Sequence, residues 1–381
     1  MKAHLHILQL EGYQPLRFLK WWIKNPFKFK LEDKKPLVWT GKAKFIYALS
    51  GGFWPLMFMA LAILKPYEMI NRKLVKTRVR NKIRCLKNLK VIGITGSFGK
   101  TSMKEFLYQI LKTKYRVLRT PESYNTVFGI AKVVDLELDN SYDFFICEMG
   151  AYKRGEIAEL CWMVEPDYGI LTGINGQHLE RFGSIENIVK AKFELVEFVR
   201  DRSRLVLNFG SEPVKKNAPA GVVTYGQGKY KHPRDQNIEG AVKMAAILGV
   251  PKPPKKLKEP IHRLSLIRRG DMTIIDDAYS SNTDGFVAAV KYLRSFKEWK
   301  VIVTPGIPEL GSATYEIHKR LGALLTDIDQ VILVGKNDRT RGLADGYQKP
   351  VEYIEKVTEA ISKIKTGKSV VLFENDLPDN Y

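Results

Sequence analysis

The chain has 381 residues, 45% of them hydrophobic, with 62 Lys and Arg against 41 Asp and Glu. That length suits two or three domains, and the apolar share puts a real core within reach. The three cysteines, Cys85, Cys147 and Cys161, show neither paired nor metal-like spacing, which argues against a disulfide framework and for a reducing compartment.

The net charge of +21 is concentrated near the N-terminus. Residues 1–44 carry ten Lys/Arg against Glu11, Glu32 and Asp33, and residues 65–90 carry ten against Glu68, so the two stretches supply +16 of it. Segments of this kind seek an anionic surface, either nucleic acid or membrane. Between them, residues 45–64 (FIYALSGGFWPLMFMALAIL) form twenty residues without a charge, about the length that crosses a bilayer. A buried core helix is the plainer reading, but Gly51, Gly52 and Pro55 weaken it. The stretch also lies too far from the start for a cleaved signal peptide. It therefore points to a membrane, as a full span or as a re-entrant hairpin, and its basic flanks give no orientation. The stretch RFLKWWIKNPFKFK (17–30) mixes aromatics with lysines, as interfacial segments do. The expectation is a basic N-terminal region, residues 1–89, associated with an anionic membrane surface at the inner face of the cell membrane. Nucleic acid is the less favoured partner.

From Lys90 onward, strands and helices alternate. KVIGIT, DFFICEM, DYGILTGI and SRLVLNFGS read as strands; KTSMKEFLYQILKT, SIENIVKAKFELVEFV and QNIEGAVKMAAILGV read as helices. The Pro/Lys-rich PKPPKKLKEP (251–260) marks a domain boundary. Beyond it MTIIDDAY, KVIVTPG, QVILVG and SVVLFEN read as strands, with GFVAAVKYLRSF, ATYEIHKRLGALLTDI and VEYIEKVTEAISKI as helices. The fold class is α/β. A central nucleotide-binding domain (90–252) with a doubly wound, mostly parallel sheet is followed by a smaller C-terminal α/β domain (253–381).

Gly96-Ser97-Phe98-Gly99-Lys100-Thr101-Ser102 lies between a strand and a helix. Glycines allow the backbone to turn tightly and offer N–H groups to anionic oxygens, while the helix directs its positive end at the same place. Lys100 suits β/γ-phosphate charge and the Thr101 hydroxyl suits Mg²⁺. The usual phosphate loop places a glycine at the position of Ile94; here it sits at Gly93, giving G-x-x-G-x-x-G-K-T, a non-standard subtype of nucleoside triphosphate site.

GITGSFGKTS resembles the phosphate loop of the Mur ligases, ATP-dependent amide-forming enzymes of peptidoglycan precursor synthesis. The resemblance continues in order through NTVFGIAKVV, EMGAYKRGEIAEL, EPDYGILTGINGQHLERFGSIENIVKAKFEL, IDDAYSSNTDGF and PGIPELGSATYEIHKRLG, covering about residues 90–381. It is strongest toward the branch that adds D-alanyl-D-alanine to a UDP-N-acetylmuramoyl-tripeptide. It implies ATP, Mg²⁺ (two ions) and transfer of the γ-phosphoryl to a carboxylate, giving an acyl phosphate that an amine attacks. Glu148 and His178 each follow a strand, where doubly wound sheets bind ligands; the resemblance makes them Mg²⁺ ligands with Thr101, and Lys192 a carbamylated lysine at a second Mg²⁺. It places Asn237 beside adenine, where a second family asparagine is Gly240 here, and Arg263 at the γ-phosphate. Asp276, Asp277 and Asn282 fall in a nucleotide-binding and closure motif, although a paired aspartate at a strand end also suits a helix N-cap. Where the family carries a UDP-binding domain, this chain has its basic segment. The rival readings are a folylpolyglutamate- or cyanophycin-type ligase and a non-catalytic membrane- or nucleic-acid-binding protein that retains the nucleotide fold.

Overall fold

A computed structural model describes residues 2–25, 36–121, 124–230, 233–258, 260, 263–278, 282–364 and 367–375. The expected strand–helix alternation yields two six-stranded sheets among them. Residues 1–75 form one compact unit, and the chain from Lys76 onward forms a second that holds both sheets.

The first unit is helical: α1 (Lys2–Leu10), α2 (Pro15–Lys24), α3 (Gly41–Ser50) and the beginning of α4 (Trp54–Cys85). Leu5, Leu8, Phe18, Trp21, Ile46, Met57 and Ala60 are buried together as its core. This corrects the expectation of a membrane-spanning segment. Residues 45–64 are not one helix, because α3 ends at Gly51 with φ 56° and α4 begins at Trp54. Gly51 and Gly52 both adopt positive φ, a conformation that ends helices cheaply only at glycine. No helix among the described residues is long and apolar enough to cross a membrane. Part of the uncharged stretch serves this local core, while Phe53, Met59 and Ile63 are exposed. Of the interfacial-looking stretch 17–30, residues 26–30 lie outside the described residues.

The first sheet comprises β1 (Lys90–Thr95), β2 (Val117–Arg119), β3 (Phe144–Glu148), β4 (Tyr168–Leu171), β5 (Leu205–Asn208) and β6 (Val223–Tyr225), in the order β2-β3-β1-β4-β5-β6 and parallel throughout. Its connecting helices are α5 (Lys100–Leu111), α6 (Val127–Glu137), α7 (Glu156–Val164), α8 (Leu179–Phe182), α9 (Ile185–Phe198), α10 (Glu212–Asn217) and α11 (Pro233–Ile247). Central strands buried on both faces need unbroken apolar runs, and Val91, Ile92 and Ile94 of β1 and Phe145 and Ile146 of β3 are all buried. Ile94 registers against Glu148, so the phosphate loop and Glu148 leave neighbouring strands side by side at the carboxyl edge, where such sheets bind ligands.

The second sheet comprises β7 (Ser265–Arg269), β8 (Met272–Asp277), β9 (Trp299–Thr304), β10 (Gln330–Val334), β11 (Glu352–Ile354) and β12 (Ser369–Glu374), in the order β11-β10-β9-β12-β8-β7. Only β7 is antiparallel, folding back on β8 through Gly270 at φ 60°. Helices α12 (Thr283–Arg294), α13 (Thr314–Ala323) and α14 (Asp338–Tyr347) cover it, and α15 (Ala360–Lys363) is a single turn. The helix expected over VEYIEKVTEAISKI is therefore replaced by edge strand β11 and short turns. Ile354 is buried in a cluster with Val334, Val303 and Ala360, and β11 pairs with β10 to place it there.

Candidate active site

Only glycine fits at position 96. Its φ is 148°, and a Cβ there would lie 2.0 Å from Thr172 Oγ1. Thr172 donates to the carbonyl oxygens of Thr95 (3.1 Å) and Phe98 (2.5 Å), tying the loop to the end of β4. The Phe98 ring covers Gly173 so closely that a Cβ at 173 would sit 1.9 Å from it. Gly99, at φ 80°, opens α5 and lies against Asn237, whose Oδ1 would be 2.8 Å from a Cβ at 99. The loop thus has one shape, and Asn237 stands beside it at Gly99. Ser102 lies half-buried on the first turn of α5.

Lys100 folds back to donate from Nζ to the carbonyl oxygens of Gly96 (2.8 Å) and Ser97 (2.9 Å). Desolvation lowers it to about 8, against the upward pull of Glu148 and with a further push down from Arg263. Arg263 is therefore close enough for its charge to be felt at the loop lysine. Thr101 Oγ1 donates to Glu148 Oε2 (3.1 Å), and Asn125 Nδ2 donates to Glu148 Oε1 (3.3 Å). Glu148 is 3% exposed, yet its pKa falls below the ordinary carboxylate value. Burial opposes ionisation there, but Lys104, Lys100 and the Asn125 hydrogen bond together outweigh it. The Lys104 ammonium, fully buried, lies 3.2 Å from Glu148 Oε2.

One pocket joins Gly96, Ser97 and Lys100 to His178 and Lys192, with Asn125 and Tyr152 also on its wall. Lys192 is 3% exposed; burial first, and the Lys100 charge second, lower its pKa to about 7. Its Nζ donates only weakly to Ala151 O, at 3.4 Å. His178, at φ 61°, opens α8 and shares a hydrogen bond between Nδ1 and Glu309 Oε2. Burial lowers its pKa from the ordinary value, against the raising effect of the Glu309 hydrogen bond and charge. Burial disfavours the Glu309 carboxylate, but the hydrogen bonds from His178 and Arg181 hold it at about 2.

The aspartates of the DDAYSSN motif accept hydrogen bonds from nearby backbone. Asp276 Oδ1 accepts from Ala278 N–H and Asp277 Oδ1 from Leu264 N–H, each at 3.2 Å. Asn282, not an aspartate, caps α12, accepting from Gly285 N–H at 2.9 Å. Its Oδ1 also accepts from Asn175 Nδ2 (2.9 Å), which reaches from the central domain. None of the three lines the pocket; the intervening Tyr279, Ser280 and Ser281 of the motif lie outside the described residues. Gly240 does not face the loop: a Cβ there would meet Met103 Cε at 2.5 Å and the Tyr225 ring at 2.9 Å, so the position serves close packing of α11 on α5. Lys104, Asn125, Asn175, Arg181 and Glu309 escaped sequence reasoning. Asn125, Asn175, Arg181 and Glu309 lie within the quoted motifs, which do not by themselves name their partners, and Lys104 lies one helical turn after Lys100.

Among the described residues no three His, Cys, Asp or Glu side chains gather as a metal cage. The Thr101 hydroxyl with the Glu148 carboxylate nonetheless fits Mg²⁺, which is typically held by one or two protein oxygens together with substrate phosphates.

A glycine loop, an invaginated lysine and a hydroxyl–carboxylate pair at the carboxyl edge of a parallel sheet define a phosphate-loop protein of the α/β class. Residues 94–252 match the Mur ligase middle domain, and residues 262–373 match the Mur ligase glutamate ligase domain. The two matches together cover well over half of the chain, which belongs to the Mur ligases. It is 29% identical over 289 residues to the UDP-N-acetylmuramoyl-tripeptide–D-alanyl-D-alanine ligase of Bacillus subtilis, covering 65% of this chain and 63% of that protein. The chain thus spans just under two thirds of that relative. The crystal structure of MurF ligase from Thermotoga maritima in complex with ADP shares the fold, with a TM-score of 0.71 and 23% identity over 80% of each chain. The bifunctional folylpolyglutamate synthase/dihydrofolate synthase of Yersinia pestis is a weaker likeness, at TM-score 0.55 and 16% identity, covering 80% of this chain and 92% of that one.

Proposed function

We propose that the chain is an ADP-forming carboxylate–amine ligase that extends a UDP-N-acetylmuramoyl-tripeptide-type acceptor with D-alanyl-D-alanine. The observation that carries this reading is the single pocket in which Lys100, His178 and Lys192 meet the phosphate loop, with Glu148 directly behind it. The Lys100 ammonium, parked on two loop carbonyls, exchanges them for β- and γ-phosphate oxygens when ATP arrives. The Arg263 charge nearby suits the transferring phosphoryl group, since phosphoryl transfer depends mainly on positioning and cationic stabilisation. The acceptor carboxylate takes the γ-phosphoryl, ADP leaves, and the amine of the dipeptide attacks the acyl carbon to expel inorganic phosphate.

Mg²⁺ would neutralise phosphate charge, with Thr101, Glu148 and His178 as its ligands and Lys192 at a second ion. Lys192 suits carbamate formation because a lysine near pKa 7 is substantially a neutral amine, able to add CO₂ and lose a proton. The carbamate brings an anionic oxygen to a wall that holds no carboxylate among its described residues.

The test is ADP release by the purified full chain with ATP, Mg²⁺, UDP-N-acetylmuramoyl-tripeptide and D-alanyl-D-alanine. Release should require both peptide substrates and vanish in Lys100→Ala. Release with a folate and glutamate instead would overturn the assignment in favour of the rival ligase.

Residues 1–89, which lie outside both family matches, add a membrane-docking role at the inner face of the cell membrane. Exposed Phe53, Met59 and Ile63 lie in the uncharged stretch along the α3–α4 turn and the start of α4, and exposed Tyr67 and Ile70 follow among Lys65, Arg72 and Lys73, a pattern that suits an interface rather than a span. Replacing Phe53, Met59 and Ile63 by serine should abolish partition onto anionic vesicles while leaving helix content unchanged. Unaltered partition would rule this role out.

A further inference from the structure

Glu309 of the C-terminal domain holds His178, a residue of the central pocket's wall, through its carboxylate. Glu309 lies on the loop after β9, while His178 and Arg181 belong to the loop and short helix after β4. Glu309 Oε2 takes the His178 Nδ1 hydrogen bond, and Oε1 accepts from Arg181 Nε (2.8 Å) and Nη2 (2.5 Å). The Glu309 carbonyl oxygen also accepts from Glu180 N–H at 3.3 Å. Tyr152 closes the group: its ring stands edge-on to the imidazole at 4.8 Å and beneath the Arg181 guanidinium at 4.4 Å.

Two features mark this as a built arrangement. Glu309 and His178 both hold φ 61°, a left-handed conformation that costs a non-glycine residue energy and persists only where surroundings enforce it. The Glu309 loop is also braced from its own domain: Ile307 N–H donates to buried His318 Nε2 (2.8 Å), and Asn375 Nδ2 donates to Gly306 O (2.5 Å). The carboxylate is thus held by the C-terminal domain on one side and by Arg181 on the other.

We infer that Glu309 is a positioning residue supplied by the C-terminal domain, which fixes the His178 imidazole in the Nδ1–H tautomer and leaves Nε2 as the nitrogen available to the pocket. A carboxylate accepts only, so the shared proton belongs to Nδ1. The pocket wall formed by His178 is therefore set only with the C-terminal domain in place, and domain docking and site assembly become one event. This rests on the ligase reading for what Nε2 meets, but not for the tautomer itself.

The experiment uses the full chain labelled with ¹⁵N-histidine, with the His178 signals assigned by their loss in His178→Gln. The parent should show the Nδ1–H tautomer. Glu309→Ala should shift the ring toward Nε2–H and weaken Mn²⁺ binding to the ATP-loaded protein about tenfold, read by electron paramagnetic resonance. Glu309→Gln, which keeps an acceptor oxygen, should restore much of both. Arg181→Met, with Glu309 in place but unanchored, should give an intermediate tautomer ratio, which covers the case of a Glu309→Ala protein that fails to fold. A folded Glu309→Ala protein, or failing that Arg181→Met, with the parental tautomer would overturn the inference. Should the tautomer shift in Glu309→Ala while Mn²⁺ affinity is parental even in His178→Ala, the positioning role stands and the metal role of His178 falls.

Discussion

Lys104 has no exposed surface, and its ammonium faces Glu148 at 3.2 Å. Breaking a buried pair from one side leaves the other charge uncompensated, at a cost of about 3–5 kcal/mol. Lys104→Met should therefore lower stability by roughly that amount in urea unfolding, and adding Glu148→Gln should recover much of the loss; a single variant as stable as the parent would contradict the pairing. Glu374 is a different case. It is buried, and burial with a nearby Asp277 raises its pKa well above the ordinary carboxylate value, although Thr304 Oγ1 donates to it at 2.6 Å. The folded chain keeps that proton while the unfolded chain loses it above its ordinary pKa, so folding takes up a proton and stability falls as pH rises from there. Glu374→Gln should match the parent near pH 4 and melt higher than it at pH 8. Lys100, Glu148, His178 and Lys192 were legible because each combines an ordered motif with a place at the phosphate loop, after a strand, or on a helix that the resemblance assigns a role. Lys104 and Glu309 were not, since their roles depend on partners brought near by the fold; Glu309 is 131 positions from His178.

Among the elements, the strands of both sheet centres could be read from their apolar runs, because burial on both faces leaves no alternation to misread. The misreadings fell where local composition and tertiary context disagree. Residues 45–64 carry the composition of a span, and two left-handed glycines divide them. Residues 351–364 carry helical periodicity, yet an edge strand forms because β10 offers an unpaired side for Glu352–Ile354. Helix α11 gives the clearest element-level prediction. At Gly240 it packs against Met103 and the buried Tyr225 ring with no room for a Cβ. Gly240→Asn, the residue that the resemblance leads one to expect, should cost about 1–3 kcal/mol in thermal or urea unfolding, because the rigid ring must shift. Affinity for ADP gained without loss of stability would show that the helices tolerate the wider spacing.

Across the whole molecule, the charge counted from the sequence differs from the charge on offer. In the second unit, Lys76 pairs with Glu159, Arg78 with Asp135, Arg80 and Arg84 with Glu165, and Lys90 with Asp167. Lys82 donates to the carbonyl oxygens of Val134 and Asp135, and the Arg80 guanidinium lies 4.2 Å over the Trp162 ring. Glu165→Ala should release two of these arginines, raising the salt needed to elute the protein from heparin; unchanged elution would mean that the pair was already open to solvent ions. The far end of α4 is thus a clasp before it is a lure. Much of its positive charge answers to carboxylates on its own chain, so the raw tally overstates what a polyanion would meet along that part of the helix.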